Sequence, residues 1–437
     1  MRSKLLTAAV VIGIVVLGSV LVMRSLSRRQ AGGSETAERS AVLPKGPPSD
    51  FFTRIAIGDP VRGDERPRMA YVAITDLDRD GLPDVLACDA LRNRIGWIRQ
   101  FPKGTFTEVT IAEIPAPAHV TAIDFDGDGE LDLLVAALGV LMPSNNRVGS
   151  VLLLENDGRQ RFTTHVLADG IARVADVEAG DLDGDGDLDL AVAGFGYDDG
   201  DTSWLENKGG WKFEQHVLLR LSGPINAIVT DLNHDGRPDI VALVSQEWEE
   251  IWAFVNEGRG RFTQKMIWGS TNADFGSSWI SVADMDGDGD PDIVYSNGDA
   301  FDYAPANSRP WQGVQWLENA GNLQFTFHRL ADLPGASSPQ VGDIDGDGDF
   351  DVVVVSANND WNDPSAPSIV WLENDGRMRF AMHAIASSPT HLITLAVGDL
   401  DGDGKPDLVS AGMHINRPYD RLGRVTAWMN HGSAPRR

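Results

Sequence analysis

Four kinds of short segment recur in a fixed order from about residue 69 to residue 430. The first alternates apolar and polar positions, as in AYVAITD and INAIVTD, which is the pattern of a half-buried strand. The second is apolar throughout, as in DLLVAAL and DVVVVSA, which is typical of a strand covered on both faces. The third ends in an aromatic-x-x-Asn phrase such as WLEN, and the fourth opens with Phe. The pattern therefore predicts four strands in each repeat.

The turn between the third and fourth segments has a constant length. In six repeats the Phe follows the Asn, or Gln100 in the first repeat, by six residues, which is typical of a tight hairpin. The last repeat ends in WMN at Trp428 and has no fourth segment of its own. The segment FFTRIAI at Phe51 to Ile57 has the composition of a fourth segment, so we expect it to pair into the last repeat and close a ring.

A nine-residue acidic string lies between the first and second segments of every repeat. It has the form D-x-D/N-x-D-G-x-x-D, and successive copies begin 48 to 59 residues apart. Such a period is typical of repeats that cannot bury their own faces alone. With four strands per repeat, it predicts an all-β, seven-bladed β-propeller of four-stranded antiparallel blades. The seven copies begin at Asp76, Asp124, Asp181, Asp231, Asp284, Asp343 and Asp399.

The string has the ligand chemistry of calcium. Side-chain oxygens at positions 1, 3, 5 and 9, a backbone carbonyl at position 7 and a turn-forming Gly at position 6 supply the hard ligands that Ca²⁺ prefers. Position 12 is never Glu, which excludes an EF-hand, and the copies are not contiguous, which excludes a nonapeptide calcium roll. The predicted ligands are Asp76, Asp78, Asp80, Leu82 and Asp84; Asp124, Asp126, Asp128, Glu130 and Asp132; Asp181, Asp183, Asp185, Asp187 and Asp189; Asp231, Asn233, Asp235, Arg237 and Asp239; Asp284, Asp286, Asp288, Asp290 and Asp292; Asp343, Asp345, Asp347, Asp349 and Asp351; and Asp399, Asp401, Asp403, Lys405 and Asp407.

The net charge of the chain matches this ligand set. The chain has 64 acidic and 37 basic residues, and the aspartates at positions 1, 3, 5 and 9 of the strings number 27, which equals the whole excess. Like charges packed into each loop repel one another without a cation, so we expect up to seven Ca²⁺ ions, mainly structural, with Asn233 marking the weakest site. The net charge of −27 argues against a nucleic-acid partner, and the single cysteine, Cys88, excludes an internal disulfide.

An uncharged run of nineteen residues at 5–23 precedes the repeats. As a helix it would be about 28 Å long, close to the hydrocarbon core of a bilayer, and the absence of a small-x-small cleavage site favours an anchor over a cleaved signal. The predicted organisation is an N-terminal hydrophobic helix serving as anchor or signal at 1–23, a flexible linker at 24–50, the propeller at 51–432 and a tail at 433–437. We expect export, with the propeller held at a cell-envelope membrane outside the cytoplasm, in the periplasm or the extracellular space.

The acidic strings and their flanking strands resemble the FG-GAP and VCBS repeat families, which include the integrin α-subunit head. The resemblance covers residues 51–432 and rests on the seven strings, whereas the FG-GAP phrase itself is represented only by Phe195 and Gly196. It implies a calcium-bearing propeller that acts outside the cell in ligand binding or adhesion. Some members of these families are similar to sugar lyases or dehydratases.

The face opposite the acidic strings is expected to bind ligands. The connections between second and third strands lie there, vary most in length and are rich in polar aromatic residues. They favour a glycan or extracellular protein partner. The alternative is a polysaccharide lyase or sugar dehydratase, with acid–base and charge-neutralising groups drawn from His119, His391, His414, Tyr197, Tyr303, Tyr419 and Arg421.

Overall fold

The computed structural model describes residues 50–301 and 308–432, in which the chain forms 28 strands in seven four-stranded antiparallel sheets. Each sheet is one blade of a β-propeller, and in six of the seven described sheets the strands pair in the order in which they follow one another in the chain. The first strand, β1, spans Phe52–Ile57. Blades 1 to 3 contain β2 (Met69–Thr75), β3 (Asp84–Asp89), β4 (Arg94–Gln100) and β5 (Phe106–Glu113); β6 (Pro117–Ile123), β7 (Asp132–Ala137), β8 (Gly149–Asn156) and β9 (Phe162–Ile171); and β10 (Arg173–Gly180), β11 (Asp189–Phe195), β12 (Asp201–Asn207) and β13 (Phe213–Leu219).

The remaining blades follow the same plan. Blades 4 to 6 contain β14 (Pro224–Thr230), β15 (Asp239–Val244), β16 (Glu250–Asn256) and β17 (Phe262–Gly269); β18 (Trp279–Ala283), β19 (Asp292–Ser296), β20 (Gly313–Asn319) and β21 (Phe325–Asp332); and β22 (Ala336–Gly342), β23 (Asp351–Ser356), β24 (Ile369–Asn374) and β25 (Phe380–Ala386). Blade 7 contains β26 (Leu392–Gly398), β27 (Asp407–Gly412) and β28 (Val425–Asn430), and β1 is its fourth strand. The predicted seven-bladed propeller is confirmed.

Strand register explains the constant length of the hairpins. Asn156 pairs with Phe162, and the same Asn–Phe or Gln–Phe pair opens the third-to-fourth hairpin in the other five blades that have one. In blade 7 the partner of Asn430 is Phe52, which lies in β1 at the other end of the propeller. The predicted closure of the ring is therefore confirmed. With β1 as its outer strand, the last blade has four strands like the other six.

The apolar second strands are covered on both faces by neighbouring blades. In β7, Leu133 and Val135 pack in a core shared with blade 1, whereas Leu134 and Ala136 pack in a core shared with blade 3. Seven such cores are present in the described residues, one for each pair of adjacent blades. Since successive side chains of a strand point to opposite faces, a second strand must be apolar at every position. The buried Cys88 in β3 follows this rule.

A buried ion-pair network reinforces the ring where blade 7 meets blade 1. The Arg424 side chain, 3% exposed, donates to Asp89 at 2.8 Å and to Glu108 at 2.7 Å, and the Glu108 side chain is fully buried. Arg94 also donates to Glu108 at 2.7 Å, and the backbone N–H of Asp59 donates to the same carboxylate at 2.6 Å. The network links blade 7, blade 1 and the segment between β1 and β2.

The predicted anchor or signal segment at 1–23, all of the predicted linker at 24–50 except its last residue, and the tail at 433–437 lie outside the described residues. Within the residues that are described, the structure contains no helix long and apolar enough to cross a membrane.

Replacement of Arg424 tests the closure. We expect Arg424→Met to lower the free energy of unfolding by about 3 to 5 kcal/mol, because it leaves Asp89 and Glu108 buried without their main cation. Chemical denaturation at constant calcium measures the change. Arg62→Met is the matched control, since the Arg62 side chain is 66% exposed in its ion pair with Asp59 and should change stability little. Equal effects of the two substitutions would contradict this role of the network.

Candidate functional site

The seven acidic strings form nearly identical loops between the first and second strands. In each loop the N–H of the Gly at position 6 donates to the first aspartate at 2.8 to 3.2 Å. The N–H at position 7 donates to the side chain at position 5 at 2.8 to 3.0 Å. The position 6 glycines have φ between 82° and 99°, which an L side chain rarely adopts, so the sequence needs Gly there.

The ninth aspartate of each loop joins the loop to the hairpin of its own blade. One carboxylate oxygen accepts the N–H at position 2 of the loop at 2.9 to 3.3 Å. The other accepts the backbone N–H of the Asn, or of Gln100, that ends the third strand at 2.7 to 2.8 Å. These aspartates are at most 1% exposed. Their burial raises their pKa, to about 6 for Asp84, Asp189, Asp239, Asp292, Asp351 and Asp407.

The amide side chain at the end of the third strand connects neighbouring loops. Its nitrogen donates to the carbonyl at position 8 of its own loop at 2.8 to 3.2 Å in all seven blades. In blades 1, 4, 5 and 7 it also donates to the position 2 carbonyl of the preceding blade at 2.9 to 3.4 Å. These bonds join the acidic loops of blades 6, 7 and 1, and those of blades 3, 4 and 5, on one face of the propeller.

The loops fit a divalent cation. In several of them three carboxylates place oxygens within 4.8 Å of one another, as Asp181, Asp183 and Asp189 do in blade 3. Asp78, Asp124 and Asp284 each keep one buried carboxylate oxygen without a hydrogen-bond partner, and an unpaired buried oxygen is destabilising unless a cation meets it. An all-oxygen donor set of this kind suits Ca²⁺. The ligand assignment itself stays a prediction.

The first loop already contains a cation of the chain. The guanidinium of Arg99 lies 2.6 Å from Asp78 and 3.2 Å from Asp80. Arg99 stands immediately before Gln100 in β4, at the place where the WLEN phrase of other blades has Glu. The same charge that stabilises these aspartates without metal would compete with any cation bound in the loop.

Two further loops also pair a carboxylate with a basic side chain. Arg237 forms an ion pair with Asp235 in blade 4, and Lys405 lies 2.8 Å from Asp403 in blade 7. Both bases are at position 7, where blades 2, 3, 5 and 6 have an acidic residue. Blade 4 also has Asn233 in place of an aspartate. The seven loops therefore fall into two groups, with blades 2, 3, 5 and 6 the more acidic.

Those four acidic blades share a glutamate–histidine pair beside the loop. In blade 3, Glu206 accepts from His216 at 2.8 Å, and the His216 ring stacks on Trp204 with centroids 4.7 Å apart. Glu206 is also one of the charges that raise the pKa of Asp183 after burial itself. These histidines pack at the rim of the propeller in a repeat-determined position. The equivalent pairs are His165–Glu155, His328–Glu318 and His383–Glu373.

The opposite face carries an apolar cavity at the mouth of the central channel. This cavity, which we call the bowl, has a volume of about 320 Å³, and all seven blades line it. Phe195 of the sequence FG phrase and the candidate Tyr197 are among its lining residues, and Tyr197 is 38% exposed. The lining residue Met142 is also exposed, as are Val140 and Val148 in the same connection between β7 and β8.

A second cavity, the channel cavity, has a volume of about 360 Å³ and is lined by Tyr71, His119, Asp176 and Glu178. His119 Nδ1 lies 3.0 Å from Asp176 Oδ1, and the rings of Tyr71 and His119 meet edge to face at 4.2 Å. Burial, with the charge of Asp176, raises the pKa of Tyr71 and of Glu178. Trp279 lines both the bowl and the channel cavity, and its ring stacks on Tyr71 at 5.9 Å.

The other catalytic candidates lie apart from this cluster. His391 and His414 are 2% and 1% exposed, their rings are 5.5 Å apart, and burial lowers the pKa of each to about 4. Arg421 donates to the carbonyl oxygens of Ser387 and Trp361 at 3.1 and 2.6 Å. These contacts hold the loops of blades 6 and 7 together.

The last two candidates are tyrosines. The Tyr419 hydroxyl donates to the carbonyl oxygen of Ile415 at 2.8 Å, and the guanidinium of Arg66 lies 4.6 Å from the Tyr419 ring. Tyr303 lies outside the described residues. The structure therefore brings His119 into the channel cavity and His391 and His414 together elsewhere, so the predicted acid–base set is divided between two places.

Sequence patterns alone did not point to the charges in β10. Arg173, Asp176 and Glu178 all belong to this first strand and line one or other cavity. The first strands of the other six blades contain no Asp, Glu, Lys or Arg. The one signal in the sequence that could have identified these cavity residues was the presence of three charges in a strand predicted to be half-buried.

Comparisons with known proteins agree with this fold. The FG-GAP-like repeat model matches residues 76–135, 137–192, 231–295 and 343–410. Two crystal structures of BBS1N in complex with ARL6DN, soaked with mercury and with lead, are similar to the chain with TM-scores of 0.52 and 0.51. In each case the sequence identity is 14%, and the alignment covers 88% of this chain and 98% of the matched chain. At that identity the likeness shows the fold alone. No curated protein matches the chain.

The buried ninth aspartates predict an unusual pH dependence without metal. Their raised pKa means that the folded state binds more protons than the unfolded state between about pH 4 and pH 6, so stability should fall as pH rises through that range. Glu249, whose pKa burial raises to about 7, acts in the same direction. Calorimetry in a chelator at about pH 5 and pH 7 measures the melting temperature. With excess calcium the trend should reverse, since the metal binds deprotonated carboxylates. A chelated protein that is more stable at the higher pH would contradict this prediction.

The Arg99 contact predicts unequal calcium sites. Arg99→Glu gives blade 1 the charge that blades 2, 3, 5 and 6 have, so we expect it to raise the calcium affinity of one site. Isothermal titration from the chelated state should show an additional or tighter site. Arg261→Glu, an exposed substitution in the hairpin of blade 4, controls for the change in net charge. An identical gain in both variants would mean that the local contact is unimportant.

Proposed function

This chain belongs to the FG-GAP-like repeat family, and we propose that it is a membrane-tethered, exported, calcium-stabilised propeller that binds a glycan or protein ligand. The observation that carries the proposal is the division of labour between its two faces. One face is a layer of hydrogen-bonded acidic loops, and the other has a cavity surrounded by irregular loops. A rigid scaffold with variable loops on one side is the usual arrangement of a binding module.

The acidic loops support a structural role for calcium. The aspartates at positions 1, 3, 5 and 9, with the position 7 carbonyl, would hold the ion. When bound, Ca²⁺ supplies the positive charge that offsets the repulsion between these carboxylates. Each position 2 side chain is buried in the core between two blades, as Leu77 and Leu400 are, so a loop that is held in place also fixes a blade interface. Affinities of about 10⁻⁴ to 10⁻³ M suit such sites in an extracellular or periplasmic compartment.

The bowl supports ligand binding on the face opposite the acidic loops. Its lining residue Met142 is 54% exposed, and the same connection between β7 and β8 also exposes Val148 at 42% and Val140 at 38%. Clusters of exposed apolar side chains commonly mark binding sites. The rim residue Tyr197 adds an aromatic ring with a polar end, which suits contacts with sugars or peptides.

Carbon–oxygen lyase activity on a carbohydrate is the second candidate function. The channel cavity favours it, because it places Tyr71, His119 and Asp176 together at 3.0 to 4.2 Å. A histidine held by a carboxylate beside a tyrosine is an arrangement able to move protons. Formation of unsaturated product from acidic polysaccharides, lost in His119→Ala, would establish this activity in place of simple binding.

Chelation tests the structural role of calcium. We expect EDTA to lower the melting temperature by many degrees, because only the folded state presents the complete ligand set. Ca²⁺ but not Mg²⁺ should restore it, because the donor set suits Ca²⁺. Asp183→Asn should reduce the calcium-dependent gain. Asp420→Asn, at a 68% exposed side chain of the opposite face, should leave it unchanged. A melting temperature that EDTA does not alter would refute the role.

Paired substitutions of exposed aromatic residues test the binding face. A screen of glycans and secreted proteins supplies the ligand, and its affinity is then measured for each variant. Tyr197→Ala should weaken binding at least tenfold, since the ring lies on the rim of the bowl. Phe101→Ala removes a 58% exposed ring from a hairpin on the face of the acidic loops, which we call the calcium-loop face, and should have no effect on binding. Weakening by Phe101→Ala alone would assign binding to the other face.

A further inference from the structure

A buried arginine lines the bowl without a partner of opposite charge. Arg173 begins β10 and is 2% exposed. Its Nη1 donates to the carbonyl oxygens of residues 140, 141 and 142 at 3.0 to 3.3 Å. Its Nε and Nη2 are buried and have no hydrogen-bond partner. Two of its three nitrogens therefore have N–H groups with no hydrogen-bond acceptor.

The lack of a carboxylate partner distinguishes Arg173 from Arg424, the other buried arginine among the described residues, and from the partly buried Arg329. Arg424 is paired with Asp89 and Glu108, and Arg329 with Asp332 at 2.9 Å. Among residues 50–301 and 308–432, no acidic oxygen lies within 4.0 Å of an Arg173 nitrogen. Burial lowers the pKa of Arg173, and no acidic neighbour opposes this effect. The guanidinium instead lies 4.8 Å from the centre of the Phe195 ring. An isolated buried charge is destabilising, so the site lacks one negative charge.

The surroundings of Arg173 are apolar. The bowl has a volume of about 320 Å³, at the small end of the range of ligand pockets, which is about 300 to 1,000 Å³. A ligand that filled it would contact mainly hydrocarbon and aromatic groups. The apolar lining includes Leu138, Leu141, Met142, Phe195, Phe301 and Met413.

Acidic residues beyond one rim limit the charge of the ligand. Asp299 lines both the bowl and an adjoining cavity of about 290 Å³, which also contains Asp198, Glu247, Glu249 and Asp274. Their field disfavours a multiply charged anion and directs a single negative charge toward the blade 3 side, where Arg173 lies.

We propose that the bowl binds a small amphiphilic carboxylate, such as a medium-chain fatty acid, with its apolar chain in the cavity and its carboxylate on Nε and Nη2 of Arg173. The inference rests on the ligand-binding function proposed above, and names the chemistry of one ligand. A carboxylate matches the planar guanidinium with two parallel hydrogen bonds, and supplies the missing charge in an environment with low dielectric constant.

A comparison of head groups on the unmodified, calcium-loaded protein tests the proposal directly. Octanoate, octanol and octylamine share an apolar chain and differ in charge. Isothermal titration should show octanoate binding roughly 10 to 100 times more tightly than octanol, since hydrogen bonds to charged groups are the stronger ones. Octylamine should not bind in the bowl. Equal affinity for octanoate and octanol, or no binding of octanoate, would overturn the proposal.

Substitutions then locate the carboxylate. Arg173→Met keeps an apolar chain of similar length, and should reduce octanoate affinity to that of octanol while leaving octanol binding unchanged. Arg377→Met, at an exposed arginine in a hairpin of the calcium-loop face, is the matched control. If Arg173→Met does not fold, Asp299→Asn tests the same field, because removing the rim charge should tighten octanoate several-fold. Octanoate binding unchanged in each folded bowl variant would overturn the assignment.

The outcome is separable from that of the proposed function. A glycan or protein ligand that binds through Tyr197, in a protein that binds no octanoate, would overturn only the carboxylate site. If no glycan or protein ligand binds through Tyr197 but octanoate does bind, the proposed glycan or protein partner would be overturned and the carboxylate site supported.

Discussion

The buried aspartate at the ninth position of each acidic loop is the contact on which the propeller depends. Its two oxygens accept one N–H from the loop and one from the end of the third strand, so a single carboxylate fixes three elements of a blade. In blades 1, 4, 5 and 7 the amide side chain at the end of the third strand extends the connection to the loop of the preceding blade. Because this carboxylate is inaccessible to water, its charge must be balanced locally, and the rest of the acidic string is arranged around it.

This constraint separates the two faces of the molecule. Strand ends on the acidic side are tied by repeated hydrogen bonds, and their hairpins have little freedom to change length. The opposite ends carry no comparable layer, so loops there vary and residues without repeat periodicity occur. Arg173, His119 and Asp176 are of that kind. The repeated stabilising contacts therefore lie on one side of the propeller, and the polar residues that occur only once lie toward the other.

The repeat explains which features the sequence could predict. Spacing of the acidic strings indicates the number of blades, and the constant interval from Asn to Phe indicates the hairpin register. The composition of residues 51–57 indicated the closing strand. Contacts such as Arg424 with Glu108, which are 316 residues apart, occur once and have no periodic signal. The grouping of His391 with His414, away from His119, likewise depended on loop paths that no pattern in the chain specifies.

The pairing of β1 with β28 has a consequence for synthesis. Phe52 meets Asn430, so the last sheet cannot be completed until the ribosome has delivered nearly the whole propeller. Blades made earlier have all four strands available in sequence and can form locally, with low contact order, whereas closure is a contact of very high order. A nascent chain must therefore wait with an unpaired sheet edge, and that interval is when chaperones would have their main opportunity to act on it.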